Sequence, residues 1–186
     1  MISNNLPLHV YPVKGVVLSL FFPPFHDKKW YNHIMKKIIS LVMILIGVLI
    51  DQVFKNWIVA NIPLGQSRSF IPNVLALTYL QNKGAAWSSL EGQQWFFMIL
   101  TPIVVVVAAY FLWKKANQKW YYLGLTLIIS GALGNFIDRV RQGFVVDMFQ
   151  TMFVNFPIFN VADALLSIGF VILFIAIITD KEDKKG

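Results

Sequence analysis

Three stretches of this chain run for about twenty residues with almost no charge: Trp95 to Trp113, Trp120 to Ile137 and Val161 to Thr179. A helix needs roughly 20 mostly apolar residues to cross ~30 Å of hydrocarbon, so each is long enough to span a bilayer. Trp and Tyr at their ends suit the membrane–water boundary. Pro102 inside the first is tolerated in a membrane helix. Ser130, Gly131, Ala132 and Gly134 in the second let a neighbouring helix approach closely. A fourth span begins at Ile38 to Ile50 and must continue through Asp51, Gln52 and Lys55 towards Ile62 to be long enough. A lone charge at depth costs ~2.5–3.5 kcal/mol, so Asp51 needs a partner. Lys55, one helical turn on, is placed to pair with it or to extend outward. Composition agrees: 57% of the 186 residues are hydrophobic and 13% charged, against ~45–50% and ~25% in a soluble domain.

The net charge of +7 raises nucleic acid as a partner until the lysines are located. Lys36 and Lys37 precede the first span, Lys114, Lys115 and Lys119 link the second and third, and Lys181, Lys184 and Lys185 follow the fourth. All lie on one side of a four-span chain, which the positive-inside rule makes the cytoplasm. The excess is an orientation signal, and nucleic-acid binding drops out. The spans are expected at about 36–60, 94–113, 120–137 and 161–179, with both termini cytoplasmic. Residues 35–186 read as one domain. Residues 1–34 read as an extension without a part in function, because Met35-Lys36-Lys37 before an apolar run is itself a natural start.

Two longer segments face outward. Asn61 to Gln94 holds turn formers (Pro63, Gly65, Pro72, Asn73), the β-prone run Val74 to Leu80 and the turn Asn82-Lys83-Gly84, which predicts a small sheet on the membrane surface. Asp138 to Asn160 mixes polar and apolar residues.

Cysteine is absent and the three histidines, His9, His26 and His33, all precede Met35. The body of the chain therefore has no thiol, no His-based triad, and no His or Cys metal ligand; no metal or cofactor is expected. What remains is acidic: Asp51, Glu91, Asp138, Asp147 and Asp163, four of them near the outer boundary. Two carboxylates held together share a proton, one acting as base on water and the other polarising a carbonyl. Asp147, among large apolar neighbours in Gly143 to Phe149, and Asp163, at the start of the last span, are the candidate pair. Each has a plainer reading. Asp163 would complete a helix cap with Asn160, and Asp147 would be a solvated loop acid. Asp138-Arg139 reads either as an ion pair ending the third span or as support for the site, with Arg139 gripping a carboxylate or a carbonyl. Asn82 to Ser88 is either a turn or a place for a peptide backbone to approach. Asp51 and Lys55 read as a structural pair.

Two alternatives stand beside the acid pair. A serine–lysine peptidase would use Ser88 or Ser89 with Lys83 or Lys55, but needs a lysine desolvated enough to be neutral. A transporter or channel subunit would need polar groups through the bilayer, whereas the inner halves of the spans are almost purely apolar.

From about Met35 to Thr179 the chain resembles the lipoprotein signal peptidases (signal peptidase II), bacterial membrane aspartic peptidases. Five blocks carry the likeness, in the family's order: "DQVFK" from Asp51, "NKGAAWS" from Asn82, "GALGNFIDR" from Gly131, "VVDMF" from Val145 and "FNVADA" from Phe159. The resemblance implies an integral membrane, mainly α fold: four transmembrane helices, an extracytoplasmic β-cradle and a short extracytoplasmic helix between the last two spans. It implies an enzyme of the bacterial cytoplasmic membrane that cuts diacylglyceryl-modified prolipoproteins on the amino side of the lipidated cysteine; a monomer is expected, with membrane lipids as its surroundings. Asp147 and Asp163 correspond to the family's catalytic pair. Asn82, Asn135, Asp138, Arg139 and Asn160 correspond to its supporting polar residues, with Gly84 and Ala85 beside the substrate. Trp87, Met148 and Ala164 depart from the usual Phe, Phe and Ser.

Overall fold

The computed structural model describes residues 28–84, 92–115 and 118–182. Helix α1 (Lys28–Asn61) leads into strands β1 (Ser67–Ile71) and β2 (Leu75–Asn82). Helices α2 (Gln94–Lys114) and α3 (Lys119–Gln142), strand β3 (Val145–Thr151) and helix α4 (Val161–Glu182) complete the chain. Four segments are long and apolar enough to cross a membrane: Ile34–Asn61, Gln94–Lys114, Lys119–Gln142 and Val161–Asp180. They stand where the apolar runs predict them. The first helix begins at Lys28, ahead of Met35.

Helix α3 is the centre of the bundle. Its mean hydropathy of 1.3 is the lowest of the four, against 2.2, 2.4 and 2.7 for the others. More than half of it is nevertheless buried, and α1, α2 and α4 all pack on it. Protein rather than lipid surrounds this helix, so it carries small and polar residues where its neighbours carry bulky apolar ones. Ile128 and Ile129 join Ile44 of α1 and Ala108 of α2 in the membrane core. Glycines bring α4 close. A Cβ on Gly131 would press on the Ala162 carbonyl and stand 2.9 Å from the Leu166 amide.

The lysine-bearing helix ends gather opposite the sheet. There Tyr122 donates to the Lys36 carbonyl (2.7 Å), Lys37 caps the Trp113 ring and Lys115 faces Asp180 at 3.9 Å.

At the other end lies a three-stranded antiparallel sheet, ordered β1-β2-β3. Here the structure corrects the expectation. The segment between the last two spans supplies a third strand where a short helix was expected. Gly143, at φ 75°, ends α3 in the left-handed conformation with its amide on the Arg139 carbonyl, the usual use of glycine at a helix C-terminus. Val145-Val146-Asp147-Met148-Phe149 then alternates across the sheet, and its β-branched and aromatic residues complete the edge of β2. The inner face packs on the end of α1 through Ile58, Ile62, Tyr79, Val146 and Met148. Met148 is fully buried there, so this departure from the family pattern belongs to the sheet core.

Gly131→Ala is expected to force α3 and α4 apart and cost roughly 1–3 kcal/mol, the range for overpacking. A lowered thermal unfolding midpoint in detergent micelles checks this.

Candidate active site

Strand register sets the first half of the site. Asp147 pairs with Leu80, and Asn82 pairs with Val145. Side chains two residues apart share a face, so Asn82 and Asp147 are diagonal neighbours. The Asn82 amide donates to Asp147 Oδ2 at 2.9 Å, while its own Oδ1 accepts from the Gly84 amide at 2.9 Å.

A helix start sets the second half. Asn160 Oδ1 accepts from the Asp163 amide at 2.9 Å, and Asp163 Oδ2 accepts from the Asn160 amide at 3.2 Å. This reciprocal box satisfies amides that a helix start leaves unpaired. The capping role read in the sequence is therefore realised, and the same geometry turns the Asn160 side chain towards β3 and the Asp163 side chain towards α3. Asn160 Nδ2 donates to Asp147 Oδ1 at 2.7 Å, and Asn135 Nδ2 to Asp163 Oδ1 at 2.7 Å. All four carboxylate oxygens of the two acids thus accept a hydrogen bond, and Asn160 bridges them.

Asp147 is 1% exposed. Burial, then the charge of Asp163, push its pKa from 3.8 up to about 7, although the Asn82 and Asn160 amides pull it down.

Behind the acids lies a buried polar cluster. Lys55 is within 2.8 Å of Asp51 and 3.1 Å of Asp138, and it donates to Asn135 Oδ1 at 2.9 Å. Asp51 accepts from the Ala162 amide at 2.9 Å, and Asp138 from the Val146 amide at 3.0 Å. The Asp51–Lys55 pair therefore ties α1 to α3 and α4, and through Asp138 to β3. Gln52 belongs here too, donating to Asp138 Oδ1 at 2.9 Å and to the Gly134 carbonyl at 3.2 Å. Sequence reasoning named Gln52 as a polar residue within the first span and in the first block but gave it no role, although its place beside Asp51 in an apolar helix was the signal. The serine–lysine reading loses Lys55, whose ammonium is held by three partners.

The structure separates Asp138 from Arg139. Adjacent helix residues do not share a face, and these two point to different neighbours. Arg139 makes no ion pair among the described residues. Its Nη2 donates to the Gly84 carbonyl at 3.2 Å, and its guanidinium lies 4.4 Å over the Phe97 ring. Its buried Nε has no hydrogen-bond partner among the described residues. Nor does the pair end the helix, since α3 continues to Gln142.

Asp147, Asp163, Asn82, Gly84, Asn135 and Arg139 line one cavity of about 680 Å³. Asn160 and Asp138 stand behind it. Helices α2 and α4, both packed on α3, wall the cavity. Its wall is largely apolar, from Phe97, Leu100 and Val104 on α2 to Phe156 and Phe159 before α4 and Ile168 on it. Ala164 lines it as well. Ala85, Trp87, Ser88, Ser89 and Glu91 lie outside the described residues. No three His, Cys, Asp or Glu side chains among the described residues converge as metal ligands would.

Fold and site define a multi-pass membrane protein with an amide-held acid pair in a largely apolar cavity between its helices. The family model for signal peptidase (SPase) II matches residues 42–179. A lipoprotein signal peptidase of Lactococcus lactis subsp. lactis (strain IL1403) is 73% identical over 150 residues, 81% of this chain and 100% of that protein. One of Streptococcus pneumoniae (strain ATCC BAA-255 / R6) is 53% identical over 152 residues, 81% of this chain and 98% of its own. A solved structure, described as a bacterial membrane enzyme by the in meso method at 2.3 Å resolution, superposes with TM-score 0.73 at 40% identity. It covers 78% of this chain and 90% of that one. The chain belongs to the signal peptidase II family.

Two outcomes follow from the electrostatics. Lys55→Met leaves Asp51 and Asp138 buried without their cation, and should lower stability by roughly 3–5 kcal/mol, read by denaturant unfolding in micelles. Because the Asp147 pKa is raised on folding, from 3.8 to about 7, its stabilising contribution is full below about pH 4. It declines as pH rises to about 7, where the unfolded chain has ionised and the folded one holds its proton. Unfolding midpoints between those values should fall for the wild type and flatten for Asp147→Asn.

Proposed function

We propose that this protein is an aspartic endopeptidase that removes the signal peptide from diacylglyceryl-modified prolipoproteins, cutting on the amino side of the lipidated cysteine. One observation carries the reading: two carboxylates, both oxygens of each held by amides, line one largely apolar cavity walled by membrane-spanning helices. The relatives named lipoprotein signal peptidase support the substrate class.

The acid pair holds one proton, kept at Asp147 near neutral pH by burial and by the charge of Asp163. Asp163 takes a proton from water as the water oxygen attacks the scissile carbonyl carbon. Asp147 gives its proton to the carbonyl oxygen, so the intermediate carries two hydroxyls and no net charge. Asp163 then passes the proton it took to the amide nitrogen as the C–N bond breaks. One hydroxyl proton of the intermediate returns to Asp147, and the products are a carboxyl and an amine. Asn82, Asn135 and Asn160 hold the carboxylates in place throughout, which supplies orientation without reorganisation at the moment of reaction. Arg139 and Gly84 offer a donor and an acceptor at the cavity wall for an extended peptide backbone. The diacylglyceryl chains remain among lipids, between α2 and α4.

The lysine-rich ends face the cytoplasm, which puts both termini there and the acids near the extracytoplasmic face of the cytoplasmic membrane. The enzyme works as a monomer, with residues 1–34 outside the peptidase domain.

Asp147→Asn and Asp163→Asn should each lower cleavage of a lipidated precursor by roughly a thousandfold while the protein still inserts. Normal turnover by either would overturn the reading. The wild-type rate should fall as pH rises through about 7, where the pair loses its last proton and with it the acid.

A further inference from the structure

The four helices carry six serines and threonines: Ser40, Thr101, Thr126, Ser130, Ser167 and Thr179. In hydrocarbon a hydroxyl without a partner is costly, and the usual remedy is a backbone carbonyl within reach. Four of the six follow that rule. Thr126 donates to the Tyr122 carbonyl at 2.7 Å and Thr179 to that of Ile175 at 3.0 Å. Ser40 donates to the Lys37 carbonyl at 2.9 Å, and Ser130 crosses to that of Ile44 at 3.3 Å. Thr101 and Ser167 are the exceptions, forming no hydrogen bond among the described residues. Both line the cavity.

Their depth is as telling. Ser167 lies four residues, one helical turn, beyond Asp163 on the same face of α4. Thr101 lies one turn beyond Phe97, the residue under the Arg139 guanidinium, on α2. Both helices enter the bilayer from the sheet end. The two hydroxyls therefore stand on opposite walls of the cavity, each about 5 Å further into the membrane than the polar rim.

On the peptidase reading above, the group occupying that depth is the diacylglyceryl on the cysteine beside the scissile bond. Its glycerol carbons begin only a few bonds from the cysteine Cα, about one helical turn away. A glycerol diester has two carbonyl oxygens, which accept hydrogen bonds, and no donor of its own. The cavity offers the complement: two donors without partners in an otherwise apolar wall.

We propose that Thr101 and Ser167 donate hydrogen bonds to the ester carbonyls of the substrate's diacylglyceryl group, and so help the enzyme select lipidated precursors. The contacts add specificity at a level where apolar packing alone cannot tell an ester-linked chain from any other hydrocarbon.

The test uses the full-length enzyme in alkyl maltoside micelles, which contain no ester lipid to compete. Two precursors are compared: one with ester-linked chains, one with ether-linked chains of equal length that lack the carbonyls. The wild type should favour the ester form about tenfold in kcat/KM, as two modest hydrogen bonds allow. Thr101→Val and Ser167→Ala should each lose about threefold of that preference, and the double variant should lose all of it. Thr101→Ser, which keeps the hydroxyl, should retain it. If the double variant does not fold, the two single variants still decide. A wild-type ratio near one, or variants that keep the wild-type ratio, would overturn the proposal. Cleavage of neither precursor by the wild type would instead remove the peptidase reading, and this inference with it.

Discussion

A lysine buried among two acids and an amide organises the structure. Lys55 is 2% exposed, in a helix whose other faces are apolar. An ammonium there has given up its hydration, and only partners held at fixed places offset that cost. Asp51, Asp138 and Asn135 are those partners. Each of the three then holds something else: the Ala162 amide at the head of α4, the Val146 amide in β3, and the Asp163 carboxylate. Apolar helices in lipid slide and rotate against one another at small cost, because lipid tails satisfy them about as well as a neighbour does. A polar cluster does not tolerate such slippage. Its contribution is registry between α1, α3, α4 and β3 more than stability.

That registry decides how the amides face. Asn135 Oδ1 accepts from Lys55, which leaves its Nδ2 for Asp163. Asn160 Oδ1 is occupied by the helix cap, which leaves its Nδ2 for Asp147. Asn82 Oδ1 is occupied by the turn at Gly84, which leaves its Nδ2 for the other Asp147 oxygen. Three asparagines thus present donors to the acids because each acceptor end has a separate structural task. Among the described residues the acids receive hydrogen bonds but no cation in direct contact, the environment that the proposed proton-sharing pair requires, because an ion pair would drive the proton off.

Sequence patterning reveals most of the fold and part of this arrangement. The spans are legible because hydrocarbon thickness fixes a length that composition cannot disguise. The cap at Asn160 is legible because its spacing to Asp163 is local. The third strand is less so: Val145 to Phe149 becomes a strand by completing β2, from which it is separated by two membrane helices. Of the two readings of Asp138-Arg139, the ion pair fails because adjacency in sequence is divergence on a helix. Asp51 and Lys55 show themselves as a pair, since a charge in an apolar helix demands one. Their second partners on α3 follow from packing that no spacing encodes. Thr101 and Ser167 carry no sequence signal at all, because a hydroxyl in a membrane helix ordinarily turns back to its own carbonyl.

The same distribution of polar contacts bears on how a lipid-linked peptide reaches buried acids. Helices α1, α3 and α4 are pinned by the Lys55 cluster, but α2 takes no part in it. The α2 start has no side-chain cap. Among the described residues its ties near the site are the bond from Gln94 to the Lys83 carbonyl and the Arg139 guanidinium over Phe97; at its far end Lys37 of α1 lies over the Trp113 ring, and between the two it packs on α3 through apolar residues. The cavity wall made by α2 is therefore the one whose separation breaks fewest directional bonds. On the function proposed above, a substrate anchored by acyl chains travels in the membrane plane, and this wall is the one suited to admit it. Three helices pinned by the Lys55 cluster hold the two acids in place, while α2 is joined to the bundle largely by apolar contacts that lipid chains can replace in kind. Rigidity at the acids and ease of lateral access then arise from one partition of the chain, between helices that share a buried charge and a helix that does not.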